Sequence, residues 1–204
     1  MKLLEQYKIK IFYLLATIVL ITVFVIFYYN TQKVKATNAA VNHTQEVLRK
    51  NDNVFLDLLN IETSSRGFVL SGNKSFLEPY YTGVAAMKTD LDALADLSKG
   101  NSSQFVRIDS LKKYILQRML LSNTLVNITK EGALDGKTEI EIINEGKKIT
   151  DTCRNLIAAI NQEEFELLKQ GKFESDKNNQ NSIISGLINS LAYAIGLISL
   201  YIEK

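Results

Sequence analysis

Tryptophan is absent from the 204 residues, and proline, cysteine and histidine occur once each. Proline breaks helix interiors by removing a donor and clashing with the preceding turn, so its scarcity permits long unbroken helices. The lone cysteine, Cys153, excludes an intramolecular disulfide and says little about compartment. The lone histidine, His43, leaves no cluster that could hold a metal, and no Ser-His-Asp or Cys-His arrangement. No Gly-rich phosphate loop follows a strand, and no stretch of any length has strand period. An excess of one charge is missing too: 24 Lys and Arg stand against 22 Asp and Glu, which argues against a nucleic-acid binder. No catalysis, no cofactor and no metal are expected of this chain.

Long apolar runs, by contrast, stand at both ends. Residues 11–32 carry no charge, and Ile11–Tyr29 is long enough to cross a hydrocarbon core of ~30 Å. Lys8 and Lys10 flank it on one side, Lys33 and Lys35 on the other, and Tyr7, Tyr13, Tyr28 and Tyr29 sit near its ends, where amphipathic rings prefer the interface. A cleaved signal peptide is the competing reading. The run exceeds a usual signal core, and Tyr28-Tyr29 occupies the place of a cleavage site, so an uncleaved anchor is expected. The second uncharged run, 178–202, is weakened by Asn178, Asn179, Asn181 and Asn189. Ser182, Gly186, Ser190 and Ala194 recur in it every four residues. They make a small-residue stripe that would admit a neighbouring helix, although small residues are common enough in membrane helices to give such a stripe by chance.

Lys2, Lys8 and Lys10 outnumber Glu5 in the tail, which places that tail in the cytoplasm. The expected division is therefore a cytoplasmic tail (1–10), a transmembrane helix (11–32), an extracytoplasmic domain (33–177), a second transmembrane helix (178–202) and a cytoplasmic end (203–204). The central part carries 20 basic and 20 acidic residues, as a solvated domain would.

Its apolar residues recur at helical spacing. Val47, Asn51, Val54, Leu58, Ile61, Ser65 and Phe68 share one face of a first helix, which Ser71-Gly72-Asn73-Lys74 ends. Ser75 and Glu78 have capping-box spacing, and Pro79 falls in the first turn of a second helix carrying Val84, Met87, Leu91 and Leu94. A third helix carries Phe105, Ile108, Ile115, Met119, Ser122, Val126 and Thr129, with Leu111 covering the break at Lys112. Glu131-Gly132 and Asp135-Gly136 mark the next turn. A short segment, Thr138–Glu145, precedes Gly146 and a fourth helix carrying Ile149, Cys153, Leu156, Ile160, Glu163 and Leu167. Four buried faces with short connections predict an all-α, up-down-up-down four-helix bundle between the two membrane helices.

Several blocks then carry a family likeness. Glu62-Thr63-Ser64-Ser65-Arg66-Gly67-Phe68-Val69-Leu70-Ser71-Gly72, followed by Phe76-Leu77-Glu78-Pro79-Tyr80, is the most specific. His43-Thr44, Glu46-Val47-Leu48, Asn101, Gln104, Gly146-Lys147, Asp151, Arg154, Glu163, Glu164 and Leu167-Leu168 extend it over most of the central part. Together they resemble the third type of CHASE domain, the extracellular sensory domain associated with cyclases and histidine kinases. The resemblance implies an extracytoplasmic sensory input domain of a bacterial membrane receptor, working as a homodimer and handing its signal to a cytoplasmic or membrane partner. An output domain would follow the second crossing in that family, and none is read here before Lys204. A membrane-anchored helical scaffold that binds another protein without signalling is the alternative, and a truncated receptor a third reading. The resemblance does not name a ligand.

Within the specific block, Glu62 and Arg66 stand four apart with the acid first, the favourable order for a helical pair. They read either as a lock on the end of the first helix or as a polar lock between helices that a signal shifts. In a second version Arg66 pairs with Glu163 or Glu164 on the fourth helix. Thr63, Gly67, Gly72, Pro79, Tyr80 and Arg154 complete the candidate structural and signalling residues. Asn101, Ser102, Ser103, Asn123 and Asn127 could offer a polar ligand surface, but the solvated reading is preferred; Cys153 reads as a small buried hydrophobe.

Overall fold

In the computed structural model, which describes residues 2–202, all regular structure is helical. Helix α1 runs Lys2–Ser71, α2 Leu77–Leu97, α3 Ser102–Lys130 and α4 Gly136–Ile202, with a 3-10 turn, Lys74–Phe76, before α2. Met1, Glu203 and Lys204 lie outside the described residues, as do the side chains of Lys2, Glu5 and Lys8. The inferred cytoplasmic end therefore has no structural description, and of the basic tail's lysines Lys10 alone has a described side chain, which lies over the Tyr7 ring.

The chain divides into two units. One is His43–Leu168, and the other combines Met1–Asn42 with Lys169–Lys204. In the first unit the buried positions follow a heptad rule. Thr44, Val47, Asn51, Val54, Leu58, Ile61, Ser65 and Phe68 alternate by three and four along α1, and every one is buried. Gln104, Ile108, Leu111, Ile115, Arg118, Ser122 and Leu125 do the same on α3, and Gly146, Thr150, Cys153, Ile157, Ile160 and Glu164 on α4. This spacing keeps one seam of each helix against its neighbours along its length.

The polar contacts fix directions. Asn51 Nδ2 donates to Ile157 O (3.1 Å) and Asn161 Oδ1 (2.8 Å), while Thr150 bonds Glu62, so α1 and α4 run antiparallel. Lys112 with Asp92 and Lys130 with Tyr81 set α3 antiparallel to α2. Gly83 of α2 lies where an added Cβ would sit 3.1 Å from Ile61 Cγ1 and 3.2 Å from Asp57 O, which brings α2 close against α1. The four helices thus alternate in direction, as the stripes predict.

The connections differ from expectation in three places. Ser75 is not the N-cap of α2: it lies in the 3-10 turn, its N–H given to Asn73 Oδ1 (3.0 Å), and α2 begins at Leu77. Thr138–Glu145 is not a separate segment. Asp135 Oδ1 accepts the N–H groups of Lys137 and Thr138 (2.9 Å each), and α4 continues through Gly146. The anticipated faces are also partly wrong, because Phe105 and Leu167 are exposed. Gly72, with φ 66°, ends α1 in the left-handed region that glycine alone adopts freely.

In the second unit, Ser175 Oγ donates to Asn38 Oδ1 (2.9 Å), and Gly171 lies against Val41. The apolar side chains of Ile11–Tyr29 are largely exposed. Among the described residues one helix is long and apolar enough to cross a membrane, and it holds this stretch. Of the small-residue stripe, Ser182 Oγ donates to Asn178 O and Ser190 Oγ to Gly186 O, each one turn back. Nothing stands within 4 Å of a Cβ added at Gly186, and Ala194 is exposed.

Candidate functional site

Buried polar side chains interrupt the bundle core in layers. The largest centres on Arg118 of α3, which is 6% exposed. Its Nε donates to Thr150 Oγ1 (3.1 Å) and its Nη1 to Ser122 Oγ. Thr150 Oγ1 in turn donates to Glu62 Oε2 (3.0 Å), and Glu62 faces Arg66 Nη1 at 3.6 Å. Ser65 Oγ donates to Glu62 O (2.9 Å) and approaches Ser122 Oγ at 3.5 Å. Three helices are therefore joined through one guanidinium and three hydroxyls.

Gly146 makes room for this arrangement. A Cβ there would stand 3.3 Å from Arg118 Cζ, so a larger residue on α4 would press on the guanidinium. Burial pushes the Arg118 guanidinium below its usual range, and the Glu62 charge opposes that shift. A cavity of about 300 Å³ opens beside it, bounded by Glu62, Arg66, Leu125, Ile142, Ile143, Lys147, Asp151 and Arg154. The structure thus brings together Glu62, Arg66 and Arg154, three of the residues singled out from sequence. It adds Arg118 and Thr150, which hydropathy reading passes over because they are polar, and it buries Ser122, which the spacing of the third helix already puts on its inner face. Their heptad spacing is the signal that finds them.

Glu163 and Glu164 belong to another layer. Glu163 accepts from Asn101 Nδ2 (2.9 Å), Ser103 Oγ (3.4 Å) and Arg107 Nη1, and the Asn101 bond leads in holding its carboxyl below the usual range. Glu164 is 4% exposed and accepts from Gln104 Nε2 (3.1 Å), which also donates to Ile160 O (3.3 Å). The pairing of Arg66 with Glu163 or Glu164 is therefore overturned, because those acids lie almost four turns along α4 from Thr150, with partners on α3. Asn101 and Ser103 are likewise not merely solvated. Asn101 also caps α3, its Oδ1 accepting from Ser103 N (3.1 Å) and Gln104 N (3.2 Å).

Burial raises the Glu164 carboxyl above its ordinary value. The folded state then holds that proton more tightly than the unfolded chain does. The stability this confers is complete below the unfolded value and is lost as pH rises through the higher folded value. Melting temperatures of the native chain and Glu164→Gln, followed from acid to neutral pH, should diverge in that window, the native chain falling relative to the variant. A gap independent of pH would show that burial of this charge does not matter.

The remaining candidates serve packing or turns. Tyr80 is buried in the core, and burial raises its hydroxyl's pKa. A Cβ at Gly67 would lie 2.5 Å from Phe76 Cδ1, so Gly67 admits that ring at the α1 end. Thr63 and Pro79 are exposed. Cys153 is buried, and desolvation pushes its thiol up to about 11. Among the described residues no cluster of His, Cys, Asp and Glu has the makings of a metal site.

Comparison with known proteins places this geometry. The comparison with curated proteins gave no match. Among solved structures, the chain is similar to the crystal structure of the Rhodopseudomonas palustris histidine kinase HK9 sensor domain. The identity is 23%, the TM-score 0.56, and the match covers 62% of this chain and 98% of that one, a likeness of fold. The CHASE3 domain matches residues 37–174. That match spans more than half of the sequence, includes the whole of the polar-layered bundle, and establishes that the chain belongs to the CHASE3 domain family.

Proposed function

We propose that this chain is the sensory input part of a bacterial signal-transduction receptor. Its bundle faces outside the cytoplasm, and residues 11–32 and 178–202 cross the plasma membrane. The carrying observation is the CHASE3 match over residues 37–174, preceded by an apolar helix fit to cross a membrane. The solved neighbour, a sensor domain of a histidine kinase, supports the same reading by its fold. Two copies act together in this proposal, and a membrane two-hybrid signal between copies of the chain tests that, its absence refuting the dimer. A stimulus biases the bundle between two packings, and a small shift or rotation of helices carries the change to a partner across the membrane.

Thiol labelling tests the placement. In Thr63→Cys, a membrane-impermeant maleimide should label the new, exposed thiol in intact cells. Native Cys153 should stay unlabelled until denaturation, since it is buried and its thiol is held at about 11. Labelling of Thr63→Cys only after lysis would put the bundle inside and overturn the topology.

A further inference from the structure

The cavity beside Arg118 has the charge and shape of a ligand site. Four cations face it, Arg66, Arg118, Lys147 and Arg154, and only two carboxylates, Glu62 and Asp151. Those carboxylates are already engaged. Glu62 has Arg66 at 3.6 Å, and Asp151 has Lys147 at 2.8 Å and Arg154 at 3.9 Å. Arg118, the buried cation, hydrogen-bonds only hydroxyls among the described residues, those of Thr150 and Ser122. A guanidinium carries five N–H donors in a fork that matches a carboxylate, and those two bonds leave part of the fork unengaged. Desolvating a cation is costly unless an anion or a full set of acceptors meets it.

Leu125, Ile142 and Ile143 add apolar surface to the same lining. A site lined by both cations and hydrocarbon selects an amphiphilic molecule, and about 300 Å³ holds a small one. A bare phosphate or sulfate would leave that apolar surface unused. We propose that this cavity binds a small organic carboxylate, its anionic end on the Arg118 fork and its apolar body against Leu125, Ile142 and Ile143. Arg66 and Arg154, both more than half exposed, stand at the edge and add electrostatic attraction. The lining comes from α1, α3 and α4, so an occupant touches three helices at once. It shifts the bundle toward whichever packing closes around it.

The proposal deepens the sensory reading, but binding needs neither the topology nor an output. Thermal melts and calorimetry on the purified full chain in detergent therefore test it separately from the labelling experiment. The probes are monocarboxylates from acetate to hexanoate together with benzoate, the neutral amides hexanamide and benzamide, and inorganic phosphate and sulfate. Hexanoate or benzoate should raise the melting temperature, and their amides should not. Arg154→Gln, a change at the rim that leaves the core intact, should weaken the carboxylate's Kd by about tenfold. Arg118→Met should abolish binding. Equal stabilisation by phosphate, sulfate and the longer carboxylates would reduce the site to a general anion hole and overturn the carboxylate assignment. No shift with any carboxylate, or a shift unchanged by Arg118→Met and Arg154→Gln, would overturn the site altogether.

Discussion

Arg118→Met should melt at or above the temperature of the native chain, whereas Arg118→Ala should lose about 2–4 kcal/mol. The reasoning separates volume from charge. Alanine removes a side chain that bridges helices and enlarges the cavity already beside it. Methionine fills most of the vacated space with an unbranched, adaptable chain. It also removes a cation that is 6% exposed and, among the described residues, bonded only to hydroxyls, a charge whose desolvation a same-sized apolar residue does not incur. Glu62 keeps Arg66 and the Thr150 hydroxyl in either variant. Denaturant unfolding of both variants decides the matter. If Arg118→Met falls as far as Arg118→Ala, the guanidinium holds the bundle together and its charge is structural. If methionine is neutral or stabilising, Arg118 is a residue whose charge the fold does not need, which fits its assignment to a ligand.

Leu58→Ala should be strongly damaging to the apolar core, at about 3 kcal/mol. Leu58 is 0% exposed, midway along the buried seam of α1 between Val54 and Ile61. Its removal forfeits both burial of the side chain and the contacts of those around it. Leu70, on the same helix, is 78% exposed, and Leu70→Ala should change stability by less than about 0.5 kcal/mol. Urea melts of the pair make the comparison within one residue type. Similar losses in both would mean that α1 is not held in the bundle by the seam described here.

That seam was the most legible part of the molecule. All seven positions assigned to the face of the first helix from spacing are buried, because apolar side chains dominate it and reveal its phase. At the start of the third helix the apolar pattern runs one position out of phase with burial. Phe105 looked like core and is exposed, while Gln104 beside it is buried. Hydropathy alone favours the aromatic ring. Only the unbroken alternation of three and four from Gln104 through Arg118 to Leu125 shows that two strongly polar residues belong inside. Glu62 and Arg66 were visible as a helical pair, and Arg154 through family likeness. Their convergence on Arg118 and Thr150 depends on how three helices align, which local spacing does not contain. The same limit explains the failed pairing of Arg66 with Glu163. Opposite charges on separate helices suggest a bond, and the antiparallel alignment of α1 and α4 puts them far apart. At the turn before α2, Ser75 and Glu78 had the right spacing for a capping box, but Asn73 captured the Ser75 amide first.

The polar layers also limit how this bundle can move. Asn51 with Asn161, Arg118 with Thr150, and Gln104 with Glu164 act as notches spaced along an otherwise greasy shaft. A purely aliphatic seam could slide by a whole turn, about 5.4 Å, and repack leucine on isoleucine at little cost. Here the same slide would strand amides, hydroxyls and a guanidinium against hydrocarbon at three levels together. Piston strokes of a full turn are thereby blocked. Twists and tilts of a fraction of a turn, which stretch these bonds without uncoupling them, remain cheap.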